Sequence, residues 1–239
     1  MALSLVLQPR LRMIADLIPA GCRRVADVGT DHGYIPAELL LTGRVDVAIA
    51  SDIGRAPLEH ARRTALCYGL TGRMDLRLGD GLEAIRPGEV DAVVIAGMGG
   101  DNIVDILDRA PWTKEGLTLV LQPMSKAQVL RQWLPEHGYA IRLERLAADK
   151  GVLYPIMLVQ GGPMPPATPA QAWGGFLLEE DPLWGPYLTD RILRLRRAAG
   201  ALERARDPAM ELRRAVFLAA AEDLTEKKGA WERANCTGS

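Results

Sequence analysis

Short runs of β-branched and aliphatic residues alternate with helix-patterned stretches over the first two-thirds of the chain. The runs are Val25–Val28, Val45–Ile53, Met74–Leu78, Ala92–Ala96 and Leu117–Leu121. Between them, Pro36–Gly43, Ala56–Gly69, Asp101–Ala110 and Lys126–Gly138 repeat apolar residues at helical spacing, several closing on glycine as helix C-termini do. Val93–Ala96 and Thr118–Leu121 are continuously apolar rather than alternating, which is what a parallel sheet covered on both faces requires. Two further extended runs, Ala140–Leu146 and Val152–Gln160, predict an antiparallel hairpin at the sheet's end. The pattern is that of an α/β fold with a mostly parallel seven-stranded sheet.

The rhythm breaks at Gly161–Ala170, where four prolines in ten residues allow neither a helix nor a central strand. The chain is therefore divided into residues 1–160, a linker at 161–170 and residues 171–239. In the last part Leu188, Ile192, Leu195, Ala199 and Leu202 form a heptad-like stripe. Asp207-Pro208 then supplies a cap and a first-turn proline for a second helix running towards Lys228. Two helices joined so closely pack antiparallel, giving a small all-α hairpin of coiled-coil type.

Composition narrows the class. The 239 residues are 48% hydrophobic and 25% charged, the balance of a folded globular chain. A net charge of −1 excludes a binder that relies on bulk positive charge. Cys22, Cys67 and Cys236 form neither a zinc cluster nor a disulfide framework, and His32, His60 and His137 are not spaced as metal ligands, so no metal is expected. No secretory signal or membrane-spanning run is read, and the expected home is the cytoplasm.

The chemistry gathers at the predicted strand ends. The first strand closes in Asp27-Val28-Gly29-Thr30-Asp31-His32-Gly33-Tyr34, a glycine-containing turn opening a helix where open α/β sheets bind ligands. The spacing is Gly-x-x-x-Gly, which disfavours the pyrophosphate cradle of a dinucleotide site. The second strand closes at Asp52-Ile53, where a carboxylate accepts ribose hydroxyls. The third ends in Asp80-Gly81, and the fourth in Ala96-Gly97-Met98-Gly99-Gly100, read as a turn of little side-chain bulk suited to a flat ring. Acidic and glycine-rich strand ends without a phosphate loop favour S-adenosylmethionine over NAD or ATP.

These strings, together with Ala50-Ser51-Asp52-Ile53, Leu78–Leu82 and Leu121-Gln122-Pro123-Met124, resemble the bacterial tRNA (adenine(22)-N1)-methyltransferase family. The likeness covers residues 10–160 closely and the helical tail in type only. It implies a Rossmann-like class I methyltransferase, S-adenosylmethionine as cofactor, and 1-methyladenosine in tRNA as product. The expected cofactor-binding residues are Asp27, Gly29, Asp31, His32, Gly33, Tyr34, Asp52, Ile53, Asp80, Gly81, Ala96, Gly97 and Met98.

Methylation leaves the adenine ring cationic, so a carboxylate near N1 stabilises the developing charge. Asp31 is the first candidate and Asp101 the second; Asp31 reads equally as a ligand of the cofactor's amine or as an Asx-turn. Tyr34 is a candidate to stack on base or cofactor, or to pack at a helix start. Trp112 is a second stacking candidate, whereas Trp133, Trp173, Trp184 and Trp231 read as packing residues, and His60 and His137 as solvent-facing. Eight arginines lie between Arg191 and Arg214 against three acids, and Arg191, Arg194 and Arg197 share roughly one helical face, the expected tRNA contact. Arg10, with Arg12, Arg23 and Arg24, is expected to flank the same cleft. The rival functions are a non-catalytic S-adenosylmethionine-binding RNA-associated protein and a small-molecule methyltransferase.

Overall fold

The structure, a computed structural model, describes residues 5–203 and 206–236. Seven strands form one sheet: β1 (Arg24–Val28), β2 (Val47–Asp52), β3 (Met74–Leu78), β4 (Ala92–Gly99), β5 (Thr118–Ser125), β6 (Tyr139–Asp149) and β7 (Val152–Gly161). Their order is β3-β2-β1-β4-β5-β7-β6, parallel except at β7, which runs antiparallel to both its neighbours. The chain's direction of winding reverses between β1 and β4, so the carboxyl ends of these strands open a crevice.

The continuous apolar runs serve both faces of the sheet. Val93 and Ile95 of β4 and Leu119 and Leu121 of β5 pack with α4 (Gly100–Asp108) and α5 (Ala127–Glu136). Ala92 and Val94, one step out of phase, join Val120 and the helices of the opposite face: α1 (Pro9–Asp16), α2 (Tyr34–Leu41) and α3 (Arg55–Cys67). Burying each such aliphatic side chain contributes about 1.5–3 kcal/mol.

Several boundaries differ from the expectation. The glycines after Ala96 do not form a turn; β4 continues to Gly99 through an irregular register with β5, and Gly97 has φ +84°. Buried Gln122 explains the continuation, because its Oε1 accepts from the Gly97 N–H at 3.3 Å. Helix α2 starts at Tyr34 rather than Pro36, after Gly33 in the left-handed conformation, where a Cβ would press on Ala61 at 3.0 Å.

Among the described residues the tail holds three helices, α6 (Pro169–Gly174), α7 (Trp184–Ala201) and α8 (Pro208–Cys236). The first begins inside the predicted linker, because Thr168 and Gln171 form a reciprocal capping box. The expected cap of α8 is present, with Ala209 N donating to Asp207 Oδ1 at 2.9 Å, and the helix outruns Lys228. Leu188, Ile192, Leu195 and Ala199 are buried against Ala220, Ala221 and Leu224. The same cluster contains Leu146 of β6, so the helices dock on the sheet.

At that seam lies a buried ion pair. Arg131 Nε donates to Glu144 Oε1 at 2.8 Å, with both side chains 0% exposed. Glu144 Oε2 accepts from the backbone N–H groups of Phe176 and Leu177, and Arg131 Nη1 donates to Ala172 O and Tyr187 Oη. Among the described residues, no helix is long and apolar enough to cross a membrane.

Candidate active site

Two cavities open at the carboxyl ends of β1, β2 and β4 and meet at Gly29. Gly29 has φ +74°, and a Cβ there would lie 2.8 Å from Met98 Cε, so the Met98 methyl group rests on the glycine and divides the space. The N–H groups of Gly29 and Thr30 both donate to Ser51 O, tying the first loop to β2.

The smaller cavity, about 400 Å³, is lined by Gly29, Asp52, Ile53, Asp80, Gly81 and Met98 of the expected set. One Asp52 oxygen accepts from Gly54 N at 2.8 Å, and the other has no hydrogen-bond partner among the described residues, leaving it open to a ligand hydroxyl. Exposed Ile53, with Ile106 from α4, supplies apolar walls for a flat ring. Asp80 is less free than expected: Arg109 Nη1 donates to it at 2.9 Å and also reaches Glu83, and this hydrogen bond holds the Asp80 carboxyl below its ordinary range.

The larger cavity, about 920 Å³, is lined by Asp27, Gly29, Asp31, His32, Tyr34, Ala96 and Gly97 of the expected set. Gly33 lines neither cavity; it packs against α3. Asp27 is buried at the cavity floor and accepts from Thr30 Oγ1 at 2.6 Å. Burial pushes its pKa up to about 6; the Thr30 hydrogen bond opposes that rise and the charge of Asp52 adds to it. Asp31 sits at the rim with φ +49° and an exposed side chain.

Several expectations are corrected by side-chain surroundings. Asp101 lines neither cavity, because Lys126 pairs with its carboxylate. Trp112 packs on the core through the 3-10 turn Pro111–Lys114 instead of facing the site. His137 is not free in solvent: its ring stacks on Trp133 and its Nδ1 lies 2.8 Å from Trp133 O. His60 faces solvent as expected, and its ring also stacks on His32, with both imidazoles approaching Asp31.

Arg10 lines the larger cavity but is not a free phosphate contact. Its side chain is 15% exposed, and its guanidinium donates to Gln122 Oε1 at 2.6 Å and pairs with Asp149. Through Gln122 it braces the irregular stretch at Gly97. Arg12 is held by Glu38, while Arg23 and Arg24 pair with Asp46 and Asp91 at the amino end of β1, the edge opposite the cavities. The pattern reading also missed contributors from distant elements. Leu5–Gln8 and Tyr68 wall the larger cavity, and Asn102, Ile106 and Arg109 the smaller. Arg109, a cation closing a helix above the Asp80 turn, was the one readable sign among them.

A family model described as a methyltransferase domain matches residues 7–157. The tRNA (adenine(22)-N(1))-methyltransferase of Bacillus subtilis is 37% identical over 189 residues, covering 77% of this chain and 76% of that protein. The chain belongs to the tRNA (adenine(22)-N1)-methyltransferase family. The crystal structure of the B. subtilis m1A22 tRNA methyltransferase TrmK matches with TM-score 0.83 at 29% identity, over 94% of this chain and all of that one. Streptococcus pneumoniae Sp1610, solved in complex with S-adenosyl-L-methionine, matches with TM-score 0.80 at 28% identity, over 93% of this chain and all of that one.

In this member of the tRNA (adenine(22)-N1)-methyltransferase family, a groove of about 350 Å³ leads from the site to the helical tail. It passes Lys126 and Tyr154 to Arg191 and Arg194, and meets the larger cavity at Met124. Arg191 lies over the Tyr187 ring at 4.8 Å and pairs with Asp190, which also accepts from Arg194 Nε at 2.9 Å. Arg197 is exposed on the same helix, and Arg204 lies outside the described residues.

Proposed function

We propose that this protein transfers a methyl group from S-adenosylmethionine to N1 of an adenosine in tRNA, the activity named for its B. subtilis relative. The observation that carries the reading is the pair of cavities meeting at Gly29, one fitted to a nucleoside and the other to an ammonium group and an incoming base. The free oxygen of Asp52 would take the ribose hydroxyls, the Ile53–Ile106 slot the adenine ring, and buried Asp27 the ammonium end. The bound cofactor supplies an electrophilic methyl group and leaves as S-adenosylhomocysteine.

The chain's own task is alignment. N1 carries an in-plane lone pair and no proton, so attack requires orientation more than a base. The Gly97 backbone, held by Gln122 and Arg10, offers a side-chain-free shelf on which a base can lie beside Gly29. Asp31 places negative charge at the rim as the ring becomes cationic, and Leu5–Leu7 and Met124 give the cavity apolar walls. N1 lies on the Watson–Crick edge, so a paired adenosine must leave its stack to enter.

In this reading residues 1–160 bind cofactor and residues 171–239 position RNA, in the cytoplasm where tRNA is found. The Arg191–Arg194 groove supports the second role, because it joins the tail to the site. Incubating the protein with labelled S-adenosylmethionine and unmodified tRNA is expected to yield 1-methyladenosine on nucleoside analysis; its absence overturns the proposal. Arg194→Ala with Arg197→Ala is expected to weaken tRNA binding several-fold. The salt dependence should flatten by about one unit of slope per lost phosphate contact, with cofactor affinity unchanged.

Asp27 makes cofactor affinity pH-dependent. Its carboxyl is ionised above about pH 6 and neutral below, and only the ionised form attracts an ammonium group. Cofactor affinity is therefore expected to fall as pH drops through 6, by about tenfold per unit well below it. Asp27→Asn is expected to bind weakly at every pH, without that slope, as titration calorimetry would read. The sign for folding is opposite: a raised carboxyl pKa favours the cofactor-free fold at low pH, a contribution lost as pH rises through 6.

A further inference from the structure

We propose that the stacked rings of Tyr34, His32 and His60, with Arg63 beside them, form a platform for the nucleotides that flank the target adenosine. The inference rests on the reading that the substrate is tRNA. His32 lies parallel to Tyr34 with centroids 5.1 Å apart, and parallel to His60 at 4.6 Å, each pair tilted by 8°. Three aromatic planes thus form one column, joining the first loop to α3. The column is partly open to solvent: the His32 and His60 side chains are 43% and 44% exposed, and Tyr34 is also exposed.

The column borders a groove. Helix α3 presents His60, Arg63, Thr64 and Cys67 at intervals that share one helical face, and these line a hollow of about 450 Å³ with Tyr68. His32, Tyr34 and Tyr68 also line the larger cavity, so the hollow continues from the place where the target base enters. Exposed Arg63 has no acidic partner among the described residues, leaving its guanidinium available to a phosphate. Asp31 lies 3.5 Å from His32 Nε2 and 3.9 Å from His60 Nδ1, which steadies both imidazoles from the side.

Stacked planes plus a free cation, continuous with a base-binding cavity, match how proteins hold single-stranded RNA: ring on base and arginine on backbone. A divalent metal fits this arrangement less well. The nitrogen and oxygen atoms of Asp31, His32 and His60 lie within 4.8 Å of one another, but parallel stacked imidazoles send their in-plane lone pairs side by side rather than toward a shared ion.

The test uses the full chain and an unmodified tRNA transcript. Affinity for tRNA is measured by filter binding without turnover, affinity for S-adenosylmethionine by calorimetry, and kcat and KM by methyl incorporation. His60→Ala and Arg63→Ala are each expected to weaken tRNA affinity and raise its KM by about tenfold, with kcat and cofactor affinity little changed. His60→Trp is expected to restore most of the affinity, since it keeps a stacking face and lacks the imidazole nitrogens. Unchanged tRNA affinity in His60→Ala, an equal loss in His60→Trp, or a chelator that reproduces the His60→Ala defect each overturns the platform. If wild-type protein binds tRNA through these residues yet makes no 1-methyladenosine, the proposed activity fails and the platform stands. If wild type methylates tRNA and the variants bind it normally, the platform alone fails.

Discussion

Glu144→Ala is expected to destabilise the protein by about 3–5 kcal/mol, because it leaves the Arg131 guanidinium buried without its partner. The carboxylate serves three donors at once, Arg131 Nε and the Phe176 and Leu177 N–H groups, and all three lose their acceptor. Against a total stability of about 5–15 kcal/mol, that is a large share. In thermal unfolding the midpoint should fall by roughly 10 °C, at about 2–4 °C per kcal/mol for a chain of this size. Arg131→Met combined with Glu144→Leu should recover part of the loss, since it removes the unpaired buried charge while the Phe176 and Leu177 N–H groups stay without an acceptor. A midpoint for Glu144→Ala within 2–3 °C of wild type would contradict the importance given to this seam.

Asp52→Ala is expected to cause the largest single loss in cofactor binding, about 10- to 100-fold in Kd. Hydrogen bonds to a charged group contribute about 1.5–3 kcal/mol, and a ribose offers two hydroxyls to the free carboxylate oxygen. The same change frees the Gly54 N–H, so Asp52→Asn is the informative companion: it keeps an acceptor for Gly54 while weakening the diol contact. Calorimetry that finds wild-type affinity in Asp52→Ala would remove the ribose role from this residue. Loss of affinity with an unchanged unfolding midpoint would separate binding from folding.

The sheet was legible because parallel strands buried on both faces leave an uninterrupted apolar signature, as at Val93–Ile95. The acidic strand ends were legible too, since a carboxylate closing such a run stands out against its neighbours. What stayed hidden depends on contacts distant in sequence. Gly97–Gly99 reads as a turn in isolation, and only Gln122 on the adjacent strand shows why it remains extended. His60 lies on a polar helix face, and nothing in helical periodicity reveals that α3 delivers it to His32. The burial of Arg10, Arg131 and Glu144 leaves no mark in the pattern, because charges are rarely buried unless paired and their partners come from other elements.

If the protein recognises tRNA as proposed, the seam at Arg131 and Glu144 also bears on which molecule yields during recognition. The buried ion pair and the apolar cluster shared with Leu146 fasten the helices to the sheet, which favours a set spacing between Arg191, Arg194 and the Gly97 stretch over a hinged arm. On the proposed reading the protein would act as a gauge of set span, and the RNA would be the deformable partner. An adenosine locked in a stable helix must give up a few kcal/mol to reach the shelf, whereas one already loosened by its neighbours gives up less. Choice among tRNAs would in this way follow local weakness of the RNA as much as its base sequence.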